Sequence, residues 1–181
     1  MAEKDKREST LAALLEEKQK RGRPKRAISR KNVYVALTLE QKERMGQLAD
    51  LLPDDLNRSD IPDMAVHLLA RRLELLRQAV ADRNREIPEG ITDLDSMYLL
   101  WDLPLSRDNG DAKWTSVRLS PQQAIELGRV HGTLRVLFGT SRSQVFALSL
   151  ALLAQFIEGE MAGKHFSSLE EVYDWITQIY L

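Results

Sequence analysis

Two stretches of this chain carry the same order of hydrophobic and polar positions. From Trp114 to Ser120, Val117 and Leu119, with Thr115 beside them, alternate with Trp114, Ser116 and Arg118. A period of two predicts a strand with one dry face and one face free to act. Ser120 and Pro121 then start a helix, serine as the cap and proline in the first turn, where its missing N–H costs nothing. Phe138, Gly139 and Thr140 predict a turn. Ser141, Arg142, Ser143 and Gln144 open a second helix whose Val145, Phe146, Leu148, Leu150, Leu152, Leu153 and Phe156 fall on most sides, so it is expected to be buried almost all round.

A weaker copy lies upstream. Val33, Val35 and Leu37 alternate with Asn32, Tyr34, Ala36 and Thr38, again predicting a strand. A helix follows from about Leu39, with Met45, Leu48 and Leu52 at helical spacing, and the stretch from Leu51 to Asp55 stops it. Asn57, Arg58, Ser59 and Asp60 cap the next helix, in which Pro62 is tolerated and Met64, Val66, Leu68, Leu69 and Leu73 are apolar. A lone strand leaves its backbone groups unpaired, so each copy requires another strand.

The remaining segments read as accessories. Residues 1–20 are highly charged, with Leu11, Leu14 and Leu15 behind a Ser9/Thr10 cap signal, and read as a solvated arm or a short helix. Between the copies, Thr92-Asp93-Leu94-Asp95 has the form of a capping box, with Met97, Leu99, Leu100 and Trp101 as a short docked helix. After the break at Gly159–Gly163, Ser167 or Ser168 caps a last helix. Its stripe of Leu169, Val172, Ile176 and Ile179 predicts core packing or self-association. The organisation expected is an arm over 1–30, a first unit over 31–83, a connector over 84–112, a second unit over 113–160 and an amphipathic helix over 161–181. The fold class is mainly α with short β.

Composition narrows the chemistry. The chain has 181 residues, 43% of them hydrophobic and 29% charged, within the soluble globular range. With no cysteine, thiol nucleophiles, disulfides and zinc–thiolate sites are excluded, and a cytoplasmic setting is expected. No secretory pattern or bilayer-spanning run is read, so no membrane partner is expected. The net charge of −1 hides a strong asymmetry: residues 18–31 carry eight Lys or Arg and no acid, leaving the rest of the chain at −9. A basic segment of this kind suits a polyanion.

Within it, Arg21, Gly22, Arg23, Pro24, Lys25 and Arg26 resemble the AT-hook. The resemblance implies arginines reaching along the narrow minor groove of A·T-rich DNA, with glycine allowing close approach and proline keeping the chain extended; a non-specific phosphate-binding arm is the alternative. The duplicated strand-helix-turn-helix plan, with Gly139-Thr140-Ser141-Arg142-Ser143 before the buried helix and Asn57-Arg58-Ser59 as its glycine-less counterpart, resembles the ribbon-helix-helix superfamily of bacterial, phage and plasmid regulators. That resemblance implies two strands pairing into an antiparallel ribbon that enters the major groove, which admits a two-stranded ribbon. It makes Asn32, Tyr34, Ala36, Trp114, Ser116 and Arg118 the groove-facing set, Arg118 the best candidate for guanine O6 and N7, and Lys31, Arg58, Ser59, Lys113, Ser141, Arg142 and Ser143 the phosphate contacts. Ala36 offers at most a methyl contact, and Trp114 is bulky for a groove.

The function expected is a sequence-preferring double-stranded DNA-binding protein, a transcriptional repressor or a plasmid or nucleoid organiser, located in the cytoplasm on the nucleoid. The alternative is an antitoxin-like interaction module whose C-terminal helix binds a protein partner. No enzyme, cofactor or metal is expected: His67, His131 and His165 lack ligand spacing, no phosphate-cradling glycine loop occurs, and Gly132 reads as an interruption of a helix.

Overall fold

A computed structural model describes residues 29–81, 87–105 and 111–180. The described chain runs β1 (Lys31–Leu37), α1 (Leu39–Asp50), α2 (Ile61–Gln78), α3 (Leu94–Leu100), β2 (Lys113–Leu119), α4 (Pro121–Phe138), α5 (Arg142–Glu158) and α6 (Leu169–Tyr180). It is mainly helical with one two-stranded antiparallel sheet. Strand, helix, helix therefore occurs twice, and the two strands pair with each other within the chain. The register sets Lys31 opposite Leu119, Tyr34 opposite Ser116 and Leu37 opposite Lys113.

Most of the helices start on a side-chain cap, whereas Asp60, expected to cap α2, makes no cap hydrogen bond to it. Thr38 caps α1 with a full capping box to Gln41, Ser120 caps α4 through the Gln123 N–H ahead of Pro121, and Ser141 caps α5 with a box to Gln144. Asp93 caps α3, but the box closes on Ser96 rather than Asp95. Gly139 ends α4 at φ 69°, a left-handed value that glycine reaches without a Cβ penalty. Contrary to the interruption expected at Gly132, α4 continues through Gly128 and Gly132, because both sit on its exposed side and the hydrogen-bond ladder is intact there.

The inner faces of the strands close one continuous core. Val35 and Leu119 are fully buried and Leu37 and Val117 nearly so, against α2 and α5. α5 is as dry as its composition implies, with Phe146, Leu148, Leu152 and Leu153 inaccessible to solvent. The connector is docked through Met97, Tyr98 and Trp101, and the Gln155 side chain donates to the Trp101 carbonyl at 2.9 Å. Leu99 and Leu100, expected in the docked face, are exposed.

The C-terminal stripe packs into the core. Val172 and Ile176 are fully buried, with Leu169, Tyr173 and Ile179 half-buried around them, in the same core as both units. Arg72 of α2 donates to the Tyr180 hydroxyl at 2.8 Å and stacks on its ring at 4.6 Å, fastening the last turn of α6. Of the two roles expected for the stripe, core packing is the one this burial shows, with α6 lying on α2.

Candidate nucleic-acid interface

The pleat of a two-stranded sheet puts alternate residues on opposite faces, and the register brings the outward ones together as Asn32 with Arg118, Tyr34 with Ser116, and Ala36 with Trp114. All six residues selected from the sequence thus share one surface. Tyr34 is 61% and Trp114 75% exposed. Asn32, Ser116 and Arg118 are exposed and Ala36 half-buried. The Arg118 Nε lies 3.4 Å from Asn32 Oδ1, a marginal contact that does not hold the guanidinium.

The two ends of this ribbon are built differently. At the end of Leu37 and Lys113 stands the start of α5. Its Ser143 hydroxyl accepts the outward N–H of Ala36 at 2.8 Å, fixing the helix against the free edge of β1. Ser141 and Arg142 are exposed, the first turn contains no acid, and Lys113 is exposed nearby in the strand. His131 senses this region: burial first, then the positive charges of Arg142 and Arg135, hold its pKa below the usual histidine value.

At the opposite end, Lys31 with Leu119, the start of α2 is closed from within. Arg30 donates to Asp60 Oδ1 at 2.6 Å and to the Ser59 carbonyl, and lies 3.4 Å from Asp63 Oδ2. Asp60 accepts the Asn57 N–H at 3.1 Å, and Asp63 accepts the Ser120 N–H at 2.8 Å, which ties α2 to the end of β2. Burial pushes the Asp63 carboxyl up in pKa, while the Ser120 N–H and Arg30 pull it back. The Ser59 hydroxyl donates to Asn57 Oδ1, and Arg58 and Lys31 remain exposed. Two carboxylates and a chelated arginine occupy the place where the sequence suggested a phosphate contact through Ser59. The signal for this was available: Asp60 and Asp63, three apart at a helix start, already satisfy the positive end of the dipole. Arg21 to Arg26 lie outside the described residues.

Elsewhere, the buried polar groups serve packing. The His67 ring stacks on Tyr173 with centroids 4.2 Å apart, its Nδ1 is 3.4 Å from Gln123 Nε2 and its Nε2 3.5 Å from Thr177 Oγ1. Burial, then Arg71, lower its pKa to about 4, which favours the neutral ring. Among the described residues no group of three or more His, Asp or Glu converges as metal ligands would, and no single helix is long and apolar enough to cross a membrane. No known family model, curated protein or solved structure matches the chain.

Proposed function

We propose that the chain is a tandem ribbon-helix-helix protein that binds double-stranded DNA with a sequence preference, as a transcriptional repressor or a plasmid or nucleoid organiser in the cytoplasm. The observation that carries this reading is the outward face of the intrachain ribbon, where three cross-strand pairs hold Asn32, Tyr34, Ala36, Trp114, Ser116 and Arg118 away from the core. A ribbon of two strands fits the major groove, and its donors, acceptors and methyl group are the types that read base edges. Arg118 is the guanine-reading candidate. Trp114 and Ala36 supply apolar contact at the other end. Phosphates are held by Lys113, Ser141 and Arg142 beside the start of α5, with Ser143 setting that helix against the strand. Because the two strands differ in sequence, the surface is asymmetric and suits a non-palindromic site.

The decisive experiment is equilibrium binding to random and A·T-rich duplexes across a salt titration. Affinity that falls linearly on log–log axes as salt rises, together with a spread among sequences, is the expected result. Absence of binding at low salt would sink the reading. Trp114 offers an optical readout, since it is the exposed one of the three tryptophans, Trp101 being buried and Trp175 half-buried: DNA should protect its fluorescence from acrylamide quenching.

A further inference from the structure

The outward aromatics of the ribbon stand without a partner, and they carry one step beyond duplex binding. We propose that the face of Tyr34 and Trp114 also binds unpaired nucleic acid, with successive bases of a single strand stacked on the two rings and its phosphates held by Lys31, Lys113 and Arg118. The proposal shares the ribbon with the duplex reading and does not require it.

The first observation is how the other tyrosines and tryptophans are used. Arg72 lies over the rings of Trp101 and Tyr180, 5.9 and 4.6 Å from their centres, Lys164 lies over Trp175 at 4.1 Å, Tyr173 stacks on His67 at 4.2 Å, and Tyr98 is buried. Among the described residues, Tyr34 and Trp114 have no such cation or ring against them. The residues opposite them across the ribbon, Ser116 and Ala36, are too small to cover a ring. Two flat apolar surfaces are therefore left open on one face.

The second is their spacing. Trp114 is two residues from Ser116, which faces Tyr34, so the two aromatics are diagonal neighbours, ~7–8 Å apart. Bases of a stacked strand follow each other at ~3.4 Å. The aromatics are thus separated by about twice the stacking step, which suits bases drawn apart so that each turns a face to its own ring. A duplex offers them less, because its base faces are covered by neighbouring pairs and only the edges reach the groove.

The third is charge. Neither strand contains an acid, Lys31 and Lys113 are exposed at opposite ends, and Arg118 is exposed on the face of the rings. Cations therefore flank the aromatics along the ribbon, the combination by which single strands are held without sequence readout.

The full chain is titrated with an oligothymidylate of ~12 nucleotides, within the span of a single-strand-binding surface, and separately with a duplex of equal length. Expected is binding of the oligothymidylate with quenching of Trp114 emission. Trp114→Ala should weaken that binding ~10-fold, Tyr34→Ala by a similar factor, and Trp114→Phe should keep the affinity while losing the quench. Both side chains are exposed, so thermal melts of the variants should match the parent. Equal affinity of the parent, Trp114→Ala and Tyr34→Ala for the oligothymidylate would leave only the cations in contact and overturns the proposal. Binding of the duplex without the oligothymidylate also overturns it and leaves the duplex reading intact. Ring-dependent binding of the oligothymidylate without the duplex upholds it and sinks the duplex reading.

Discussion

Arg118 and His67 show how differently two polar residues of one small protein can be used. Arg118 is exposed, paired across the ribbon with Asn32 at a marginal 3.4 Å, and therefore available to a base edge. On the proposed function, Arg118→Ala should cost ~1–3 kcal/mol at the preferred site and leave binding to random duplexes nearly unchanged; a uniform loss on every sequence would put the guanidinium on phosphate instead. His67 is the opposite case, enclosed by Tyr173, Gln123 and Thr177, with its pKa lowered from 6.5 to about 4. A lowered histidine pKa means that the unfolded chain binds the extra proton, so the stability it contributes is complete above pH 6.5 and drains away as pH falls towards 4. The linkage is worth up to ~3 kcal/mol. Thermal melts of the parent chain should fall over that interval, and His67→Gln should flatten the fall; an identical pH profile for the variant would show that other groups govern it. In the sequence His67 shows only that it lacks metal-ligand spacing to the other histidines, and nothing local names its neighbours. Its partner Tyr173 lies more than a hundred residues away in another helix.

At the level of elements, what could be read from the chain was whatever is encoded locally. The period-two alternation of Val33, Val35 and Leu37, and of Val117 and Leu119, fixed both strands and assigned the outward set correctly, because the pleat allows no other distribution. Ser120–Pro121 and Ser141–Gln144 marked helix starts that the backbone adopts. The failures concern partners. The stripe of α6 announced an apolar face and could not say what covers it; the answer is α2 and the shared core. Removing residues 165–181 would expose that core, so the truncated chain should unfold rather than persist as a monomer, and Ile176→Ala alone should cost ~2–5 kcal/mol in denaturant titration. Glycines divide along similar lines. Gly139 sits at φ 69°, so Gly139→Ala should destabilise by ~1–2 kcal/mol, although a Cβ there meets no neighbour. Gly128 and Gly132 lie inside α4 with open space around them, and alanine at either should stabilise by ~0.5–1 kcal/mol through its better helix propensity. Thermal melts that ranked the three substitutions alike would contradict the assigned backbone at Gly139.

For the whole molecule the governing fact is that both strands of the ribbon belong to one chain. Each strand alone would leave a row of donors and acceptors unpaired, and two routes satisfy them: a partner strand in the same chain or one in a second copy. The connector makes the first route local, since tethering supplies an effective concentration that a separate molecule must exceed. It is also held in place, with Trp101 under Arg72 and against Gln155, so the second strand is delivered to the first by a docked segment. The register supplies a direct test. Ala36 directs its N–H outward to Ser143 rather than to β2, and residues two apart along a strand share that direction, so Tyr34 and Ser116 form a pair without mutual hydrogen bonds, Cα to Cα ~4.5 Å apart. That spacing admits a disulfide. In a chain without native cysteine, Tyr34→Cys with Ser116→Cys should oxidise to a monomeric, internally bridged species, with a yield independent of protein concentration and retained binding of phosphate through the untouched α5 end. Covalent dimers that increase with concentration would mean that the strands pair between copies. Each ribbon would then still join unlike strands, but the two copies would present a pair of them related by a two-fold axis, and a palindromic site would be expected instead.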